Sequence, residues 1–379
     1  MRIFLITHTY SLGGSGGGEQ FCYNFLKELR RRGHQVFVFT AGGKQFAAEE
    51  KRLGLQVYHC PVLGHHAFHK FEYVLFAWKA ALLAKKFRPD VIHAQNDVFP
   101  ALIGSVVRWR TKKPLVAAVE YLSDQAVSLN LKIVFALNKL LLPKIPADAF
   151  VSWSKFVVDK FFIPWGIERK KIYIVPGAVD LKPFLLKSRK HPLLAGIGGS
   201  LIVSAKPLHS TNAAGISYII KAMAIVAEKH PEWKYVIVGD GQSKPELQQL
   251  VDELNLQKTV FLVGALPNSE VPHVYAAAEI VAHSFAFKAT TSIALIESMA
   301  AGKAIFATES GEVKPTVADS ALLAKQRDEK SIANALIKLI EDKNLRQRLG
   351  ERARERAKKL YSIESVVDSF ERLYKNLLY

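Results

Sequence analysis

The chain alternates between two hydrophobic periods, and that alternation restricts its architecture more than any other feature. Short apolar runs of strand type occur at Arg2–Thr7, 36–40, 91–94, Leu115–Val119 and 150–152. Between them lie segments with apolar residues three and four positions apart, such as Phe21, Phe25 and Leu29, or the stretch 73–87. The second half repeats the scheme, with strands expected at 201–205, 235–238, 260–263, 280–282 and 304–307, each followed by a helix. Strands this uniformly apolar are buried on both faces, which requires parallel sheets covered by helices. The fold class read from the pattern is α/β, with doubly wound parallel sheets.

A chain of 379 residues is longer than one core normally organises, so two domains are expected. The stretch 187–200 contains HPLLAGIGGS, where Gly and Pro cluster and periodicity is lost, and we place the hinge there. This gives domains at 1–186 and 187–361. The amphipathic tail 362–379 lies outside the second alternation and is expected to return to the first domain.

Cys22 and Cys60 have no disulfide or metal-ligand spacing and read as buried thiols. No Asp-x-Asp pair or His/Cys/Asp cluster has ligand spacing, so no metal and no cofactor is expected. The start, MRIFLITHTY, lacks the apolar stretch and cleavage site of a signal peptide, and no apolar run reaches the ~18 residues of a membrane span. The expected location is cytoplasmic.

Net charge is +18 and unevenly spread: residues 1–190 hold 29 Lys and Arg against 13 Asp and Glu. A basic half beside a near-neutral one suits an anionic partner, whether nucleic acid, phospholipid surface or phosphorylated acceptor. Nucleic acid is not expected, because no RNA-binding signature accompanies the charge.

Two segments carry recognisable chemistry. Residues 13–18 contain five glycines in six positions, directly before a helix. Gly16, Gly17 and Gly18 allow close approach of a ligand and present N–H groups to negative charge, or else form a tight strand–helix turn. Thr290, Thr291, Ser292 and Ile293 open a second helix with capping hydroxyls and unpaired N–H donors. Glu297 follows among apolar residues, where a carboxylate needs a partner unless it faces solvent.

The resemblance is carried by GGSGGGEQFCYNFLKELRRRGHQVFVFT (13–40), RPDVIHAQ (88–95), VSWSKFVVDKF (151–161) and KIYIVPGAVDLKPF (171–184) in the first half. In the second half it is carried by YVIVGDGQSKPELQQL (235–250), FLVGALPNSEVPHVYAAAEI (261–280) and TTSIALIESMAAGKAIFATESGEV (290–313). In order and spacing these segments resemble the retaining glycosyltransferases of family 4. The resemblance implies the GT-B fold, two Rossmann-like domains facing across a cleft, and a nucleotide-diphosphate-sugar donor. It places the diphosphate and transferred sugar against Gly16, Gly17 and Gly18, the diphosphate on Thr290, Thr291, Ser292 and Ile293, and the ribose on Glu297. Gly264 and Leu266 fall where relatives contact the base through backbone atoms. Gly239 to Gly241 read as structural.

Three positions depart from the family pattern. Eight residues before Glu297 stands Ala289 where the family has a first Glu, with Lys288 adjacent. Of the family's Arg-x4-Lys pair, Lys206 stands in a plausible Arg position, but no Lys precedes Gly215, where Ala213 and Ala214 occur; His209 is a substitute only when protonated. Glu120 replaces a His near the end of the strand at 115–119, either to orient a sugar hydroxyl or as an ordinary loop carboxylate. Glu120 and Lys206 are the candidate catalytic residues.

The expected activity is metal-independent, retaining transfer of a hexosyl group to a lipid-linked or polysaccharide acceptor. The basic clusters 85–88 and 108–113, and the amphipathic stretch 127–144, suit an anionic membrane surface; the last is equally readable as a core helix with snorkelling lysines. The alternative is a non-catalytic GT-B protein that binds nucleotide-sugar or membrane as a partner subunit.

Overall fold

The computed structural model describes residues 1–8, 17–41, 47–61, 69–120, 122, 129–185, 191–194, 196–287 and 292–379. It comprises two units, Met1–Gly177 with Ile363–Tyr379, and Ala178–Ser362. The division thus falls ahead of the 187–200 stretch.

In the first unit the order is β1 (Arg2–Thr7), α1 (Gly17–Arg31), β2 (Gln35–Ala41), α2 (Ala47–Arg52), β3 (Gln56–Cys60), α3 (His69–Leu75) and α4 (Ala77–Phe87). There follow β4 (Val91–Asn96), α5 (Val98–Thr111), β5 (Leu115–Val119), α6 (Leu129–Leu141), β6 (Ala149–Ser152), the one-turn α7 (Lys155–Val157) and β7 (Ile172–Ile174). The strands form one parallel sheet ordered β3-β2-β1-β4-β5-β6-β7. The strand order reverses between β1 and β4, where Thr7 is level with Gln95.

One face of this sheet presents Phe4, Ile6 and Phe39 to α4 and α5. On the other lies α1, whose Phe21, Phe25 and Leu29 are fully buried. The helical stretch expected over 73–87 is two helices, broken at Phe76. The break seats Tyr73 beneath the sheet, its hydroxyl donating to the carbonyls of Thr7 (2.9 Å) and Phe39 (2.7 Å).

In the second unit the order is β8 (Ser200–Ala205), α8 (Ser210–Lys229), β9 (Trp233–Val238), α9 (Lys244–Glu253), β10 (Val260–Gly264), α10 (Val271–Ala277) and β11 (Ile280–His283). Then come α11 (Ile293–Ala300), β12 (Ala304–Thr308), α12 (Val313–Val317), β13 (Leu322–Ala324), α13 (Glu329–Glu341) and α14 (Lys343–Leu360). The parallel sheet runs β10-β9-β8-β11-β12-β13 and reverses between β8 and β11. Helix α8 is long and apolar enough to cross a membrane. Its buried residues, among them Ile216, Ile219, Ile220 and Met223, nevertheless pack in the core of this unit.

The last helix, α15 (Ile363–Leu378), lies on the first unit against α1. Its buried residues Ile363, Val366, Val367, Phe370, Leu373 and Tyr374 follow the three–four spacing of one apolar face. Phe370 meets Phe25 with ring centroids 5.0 Å apart. Polar contacts fix the register: Arg32 pairs with Asp368 and Glu371, and His34 Nε2 lies 2.6 Å from Glu371.

Candidate functional site

Ligands of doubly wound sheets bind beyond the carboxyl ends of the strands, where the strand order reverses. In the first unit that point lies after β1 and β4, and the buried polar residues gather there. Thr7 Oγ1 donates to Asn96 Oδ1 at 2.5 Å, Asp97 caps α5 by accepting from Phe99 N at 3.0 Å, and His8 Nδ1 lies 3.6 Å from Asp97. Asn96 has φ +103°, strain of the kind found where a backbone is held for function.

Glu120 follows β5 and is only 7% exposed. Gln95 Nε2 donates to its Oε1, and its backbone N–H bonds Asn96 O at 3.3 Å. Burial pushes its carboxyl up to about 7, against the lowering effect of hydrogen bonds from Gln95 and Asn96. Gly17 and Gly18 form the first turn of α1; Gly16 lies outside the described residues. A Cβ on Gly18 would stand 2.7 Å from Glu120 Oε2, so this glycine makes room for the carboxylate. The start of α1 already faces an acidic side chain, which suits a sugar hydroxyl there better than a phosphate.

In the second unit the reversal point lies after β8 and β11. Ile202 and Val203 pair with Ile280 and Val281, and continuing that register brings Lys206 level with Ser284. Lys206 is 8% exposed, and neither its Nζ nor Ser284 Oγ has a hydrogen-bond partner among the described residues. Its ammonium lies over Phe285, 3.9 Å from the ring centroid, and burial pushes its pKa down to about 7. The backbone around Lys206 is held by Gly239 and Gly241. Lys206 N bonds Val238 O at 2.9 Å, Leu208 N bonds Asp240 O at 2.9 Å, and a Cβ at either glycine would overlap this segment. Gly215 of α8 fits against Ser284 for the same reason.

The segment after β11 is pinned from three sides. Phe285 N donates to Thr308 Oγ1 (2.8 Å), Gln326 Nε2 donates to Phe285 O (2.7 Å), and Arg327 Nε donates to Ala286 O (2.7 Å). It leads to Lys288, Ala289, Thr290 and Thr291, which lie outside the described residues. Ser292 caps α11, its hydroxyl accepting from Leu295 N at 3.4 Å. Leu295 N–H is taken by the cap and Ile296 N–H by Ser292 O, while the amides of Ile293 and Ala294, in the first turn, have no intrahelical partner and make no backbone bond among the described residues.

Glu297, one turn on, is part-buried, makes no hydrogen bond or ion pair among the described residues, and is pushed up to about 7 by burial. The buried hydroxyl of Tyr275, whose ionisation Glu297 opposes, is likewise without a partner. Gly264 (φ +87°) ends β10, and its carbonyl accepts from Gly239 N at 2.8 Å; Leu266 is part-buried just beyond. His209, at the start of α8, is exposed and makes no capping bond.

Some participants carried no signal in the sequence. Gln95 and His93 lie within a quoted segment but showed no role there, and Phe285 and Ser284 showed none. Both thiols are buried, with burial pushing Cys60 up to about 12. Among the described residues no group of three or more His, Cys, Asp or Glu is placed to hold a metal ion.

Comparison with known proteins adds to this geometry. Residues 15–183 match the family described as Glycosyltransferase Family 4, and residues 205–356 match the one described as Glycosyl transferases group 1. The chain is a family 4 glycosyltransferase. It is 25% identical to alpha-monoglucosyldiacylglycerol synthase of Streptococcus pneumoniae, over 90% of this chain and 78% of that protein. It is 26% identical to D-inositol 3-phosphate glycosyltransferase of Corynebacterium jeikeium, over 100% of this chain and 97% of that protein. Among solved structures, HepE of Anabaena in complex with UDP and glucose superposes with a TM-score of 0.77 at 18% identity, covering 98% of this chain and 99% of HepE. The fold of this glycosyltransferase is GT-B.

Proposed function

We propose that this glycosyltransferase moves a hexosyl group from a nucleoside-diphosphate sugar to a lipid-linked or glycan acceptor, with retention and without a metal. The observation that carries the reading is the buried ammonium of Lys206 at the strand-order reversal of the second unit, which has no hydrogen-bond partner among the described residues. A buried cation without a partner is costly, and a diphosphate is the partner that the reading supplies. Lys206 and the free amides at the start of α11 hold the diphosphate as charge develops on leaving, Glu297 holds the ribose hydroxyls, and backbone atoms at Gly264 and Leu266 line the base. In the first unit, Gly17, Gly18 and Glu120 receive a substrate hydroxyl. The acceptor oxygen attacks from the face that the diphosphate vacates, and its proton passes to a diphosphate oxygen.

The acceptor side works at an anionic, cytoplasmic-facing membrane surface. Trp78 of α4 and Trp109 of α5 are 54% and 60% exposed with ring centroids 6.4 Å apart, and Leu75 and Leu82 are exposed beside them. Lys79, Lys85, Lys86, Arg88, Arg110, Lys112 and Lys113 are exposed on and after the same two helices. Aromatic rings among basic side chains suit the interface of an anionic bilayer. The described part of the stretch 127–144 divides its loyalties: Phe135 packs on Phe161 and Trp165, while Ile133 and Leu140 are exposed.

The test is transfer from a panel of UDP-, GDP- and ADP-sugars to diacylglycerol, phosphoinositide and glycan acceptors, with the anomeric configuration of the product read by NMR. An α-linked product from an α-linked donor, formed in the presence of a chelator, is expected. A β-linked product or dependence on added metal overturns the reading. The non-catalytic alternative is disfavoured, since the relatives above are enzymes by name.

A further inference from the structure

We infer that Tyr374, on the helix that ends the chain, is a positioning residue that sets the charge state of Glu120 through His93 and Gln95. Its consequence for turnover rests on the hydroxyl-binding role given to Glu120 above. Four buried side chains of the first unit form one hydrogen-bonded line. Tyr374 OH meets His93 Nδ1, His93 Nε2 lies 2.5 Å from Gln95 Oε1, and Gln95 Nε2 meets Glu120 Oε1. Tyr374, His93 and Gln95 are essentially inaccessible to solvent.

The two ends of the line fix the direction of every proton in it. Among the described residues the Tyr374 hydroxyl has no other acceptor, and a buried O–H left unpaired is costly, so it donates to Nδ1. His93 is neutral, since burial pushes it down to about 4, and its single proton therefore sits on Nε2 and goes to the Gln95 carbonyl. The carboxamide so oriented turns its N–H toward Glu120, which favours the carboxylate over the acid. The opposite tautomer would reverse each link: the Gln95 carbonyl would face Glu120, and Glu120 would need a proton to bond it. One ring tautomer and one carboxyl charge are thus coupled, and the phenol selects between the two states.

The ring of His93 is hemmed in by Phe25, Phe370 and Tyr374, with centroids 5.5, 5.1 and 6.0 Å away, so the line cannot be rearranged by swinging the imidazole aside. Among the described residues, the other titratable groups facing Glu120 are Asp97, at the start of α5 and itself beside His8, and the Cys22 thiol of α1. Neither hydrogen-bonds the His93–Gln95 line, which is the hydrogen-bonded connection between the phenol and Glu120 among the described residues.

The test is Tyr374→Phe in the full-length protein, which keeps the ring packing and removes only the hydroxyl. Long-range 1H–15N spectra of labelled histidine report the His93 tautomer, and a 13C titration of labelled glutamate carboxyls, with Glu120→Gln to assign the signal, reports Glu120. The expected wild-type state is the Nε2–H tautomer. In Tyr374→Phe a mixture of tautomers is expected, with the Glu120 midpoint raised by about one pH unit. A wild-type Nδ1–H tautomer, or an unmoved Glu120 midpoint in a folded Tyr374→Phe protein, overturns the inference. The pH profile of kcat/KM is a separate readout. If Glu120→Gln leaves that profile unchanged, the hydroxyl-binding role fails, whatever the spectra say of Tyr374.

Discussion

The ammonium of Lys206 stands 3.9 Å from the ring centroid of Phe285, level with Ser284 just after strand β11, with no hydrogen-bond partner among the described residues. Pushed down to about 7 by burial, this lysine loses its charge as pH rises through neutrality. A diphosphate restores the charge, so binding above pH 7 takes up a proton. Affinity is expected to fall by up to about tenfold per pH unit above 7. Calorimetry in buffers of different ionisation enthalpy measures the uptake, and Lys206→Arg, which stays charged, should abolish it.

The same lysine works against folding. Its folded pKa is depressed below the unfolded value of 10.5, so the unfolded chain holds more protons between about pH 7 and 10 and stability rises with pH across that window. Lys206→Met is expected to melt higher than the wild type at pH 6, by about 2–4 °C for each kcal/mol recovered, with the gap closing toward pH 10. Equal melting temperatures at pH 6 would mean that Lys206 is not desolvated as described.

Gly18 and Glu120 make a steric pair. Gly18→Ala puts a methyl 2.7 Å from Oε2 and pushes the carboxylate aside, so kcat/KM is expected to fall by about tenfold. Folding should change little, because the atom displaced is the far end of a side chain and the backbone stays in place. In a Glu120→Ala background the added methyl should cost nothing, a non-additivity that a double-mutant cycle of kcat/KM reads directly.

Glu120 has a folded pKa raised above its ordinary value, so its contribution to stability is full below pH 4.5 and is lost as pH rises through about 7. Glu120→Gln should therefore gain on the wild type in urea midpoint between pH 5 and pH 8. A constant difference across that range would contradict the burial of an ionisable carboxyl.

Trp78 and Trp109 are exposed and support no core, so replacing both by Ala should leave the melting temperature unchanged. Partition onto phosphatidylglycerol vesicles, measured by co-sedimentation at low salt, is expected to fall at least tenfold. An unchanged partition would remove the aromatic pair from the membrane account.

Much of this arrangement was legible in the chain because burial on both faces of a sheet leaves an unbroken apolar signature. The expected strands at Arg2–Thr7 and Leu115–Val119 match β1 and β5, and those of the second half lie within β8 to β12. The three-residue edge strands Ile172–Ile174 and Leu322–Ala324 left no comparable mark, since they are short and half-buried. Amphipathicity showed that residues of α15 bury one face, but the contacts that seat it, Arg32 with Asp368 and Phe25 with Phe370, join positions too distant for periodicity to link. Glu120 and Lys206 stood out as departures from a pattern. The line from Tyr374 to Glu120 did not, because it exists only once α15 has packed on the first sheet.

The account stands most directly on nucleotide binding at Lys206. Calorimetric titration of UDP, GDP and ADP into the full-length protein and its Lys206→Met variant at pH 6.5 tests it. The account predicts that at least one diphosphate binds the wild type and that the substitution weakens it by about a hundredfold or more. Binding of equal strength to both proteins, or of none of the three to the wild type, would contradict it.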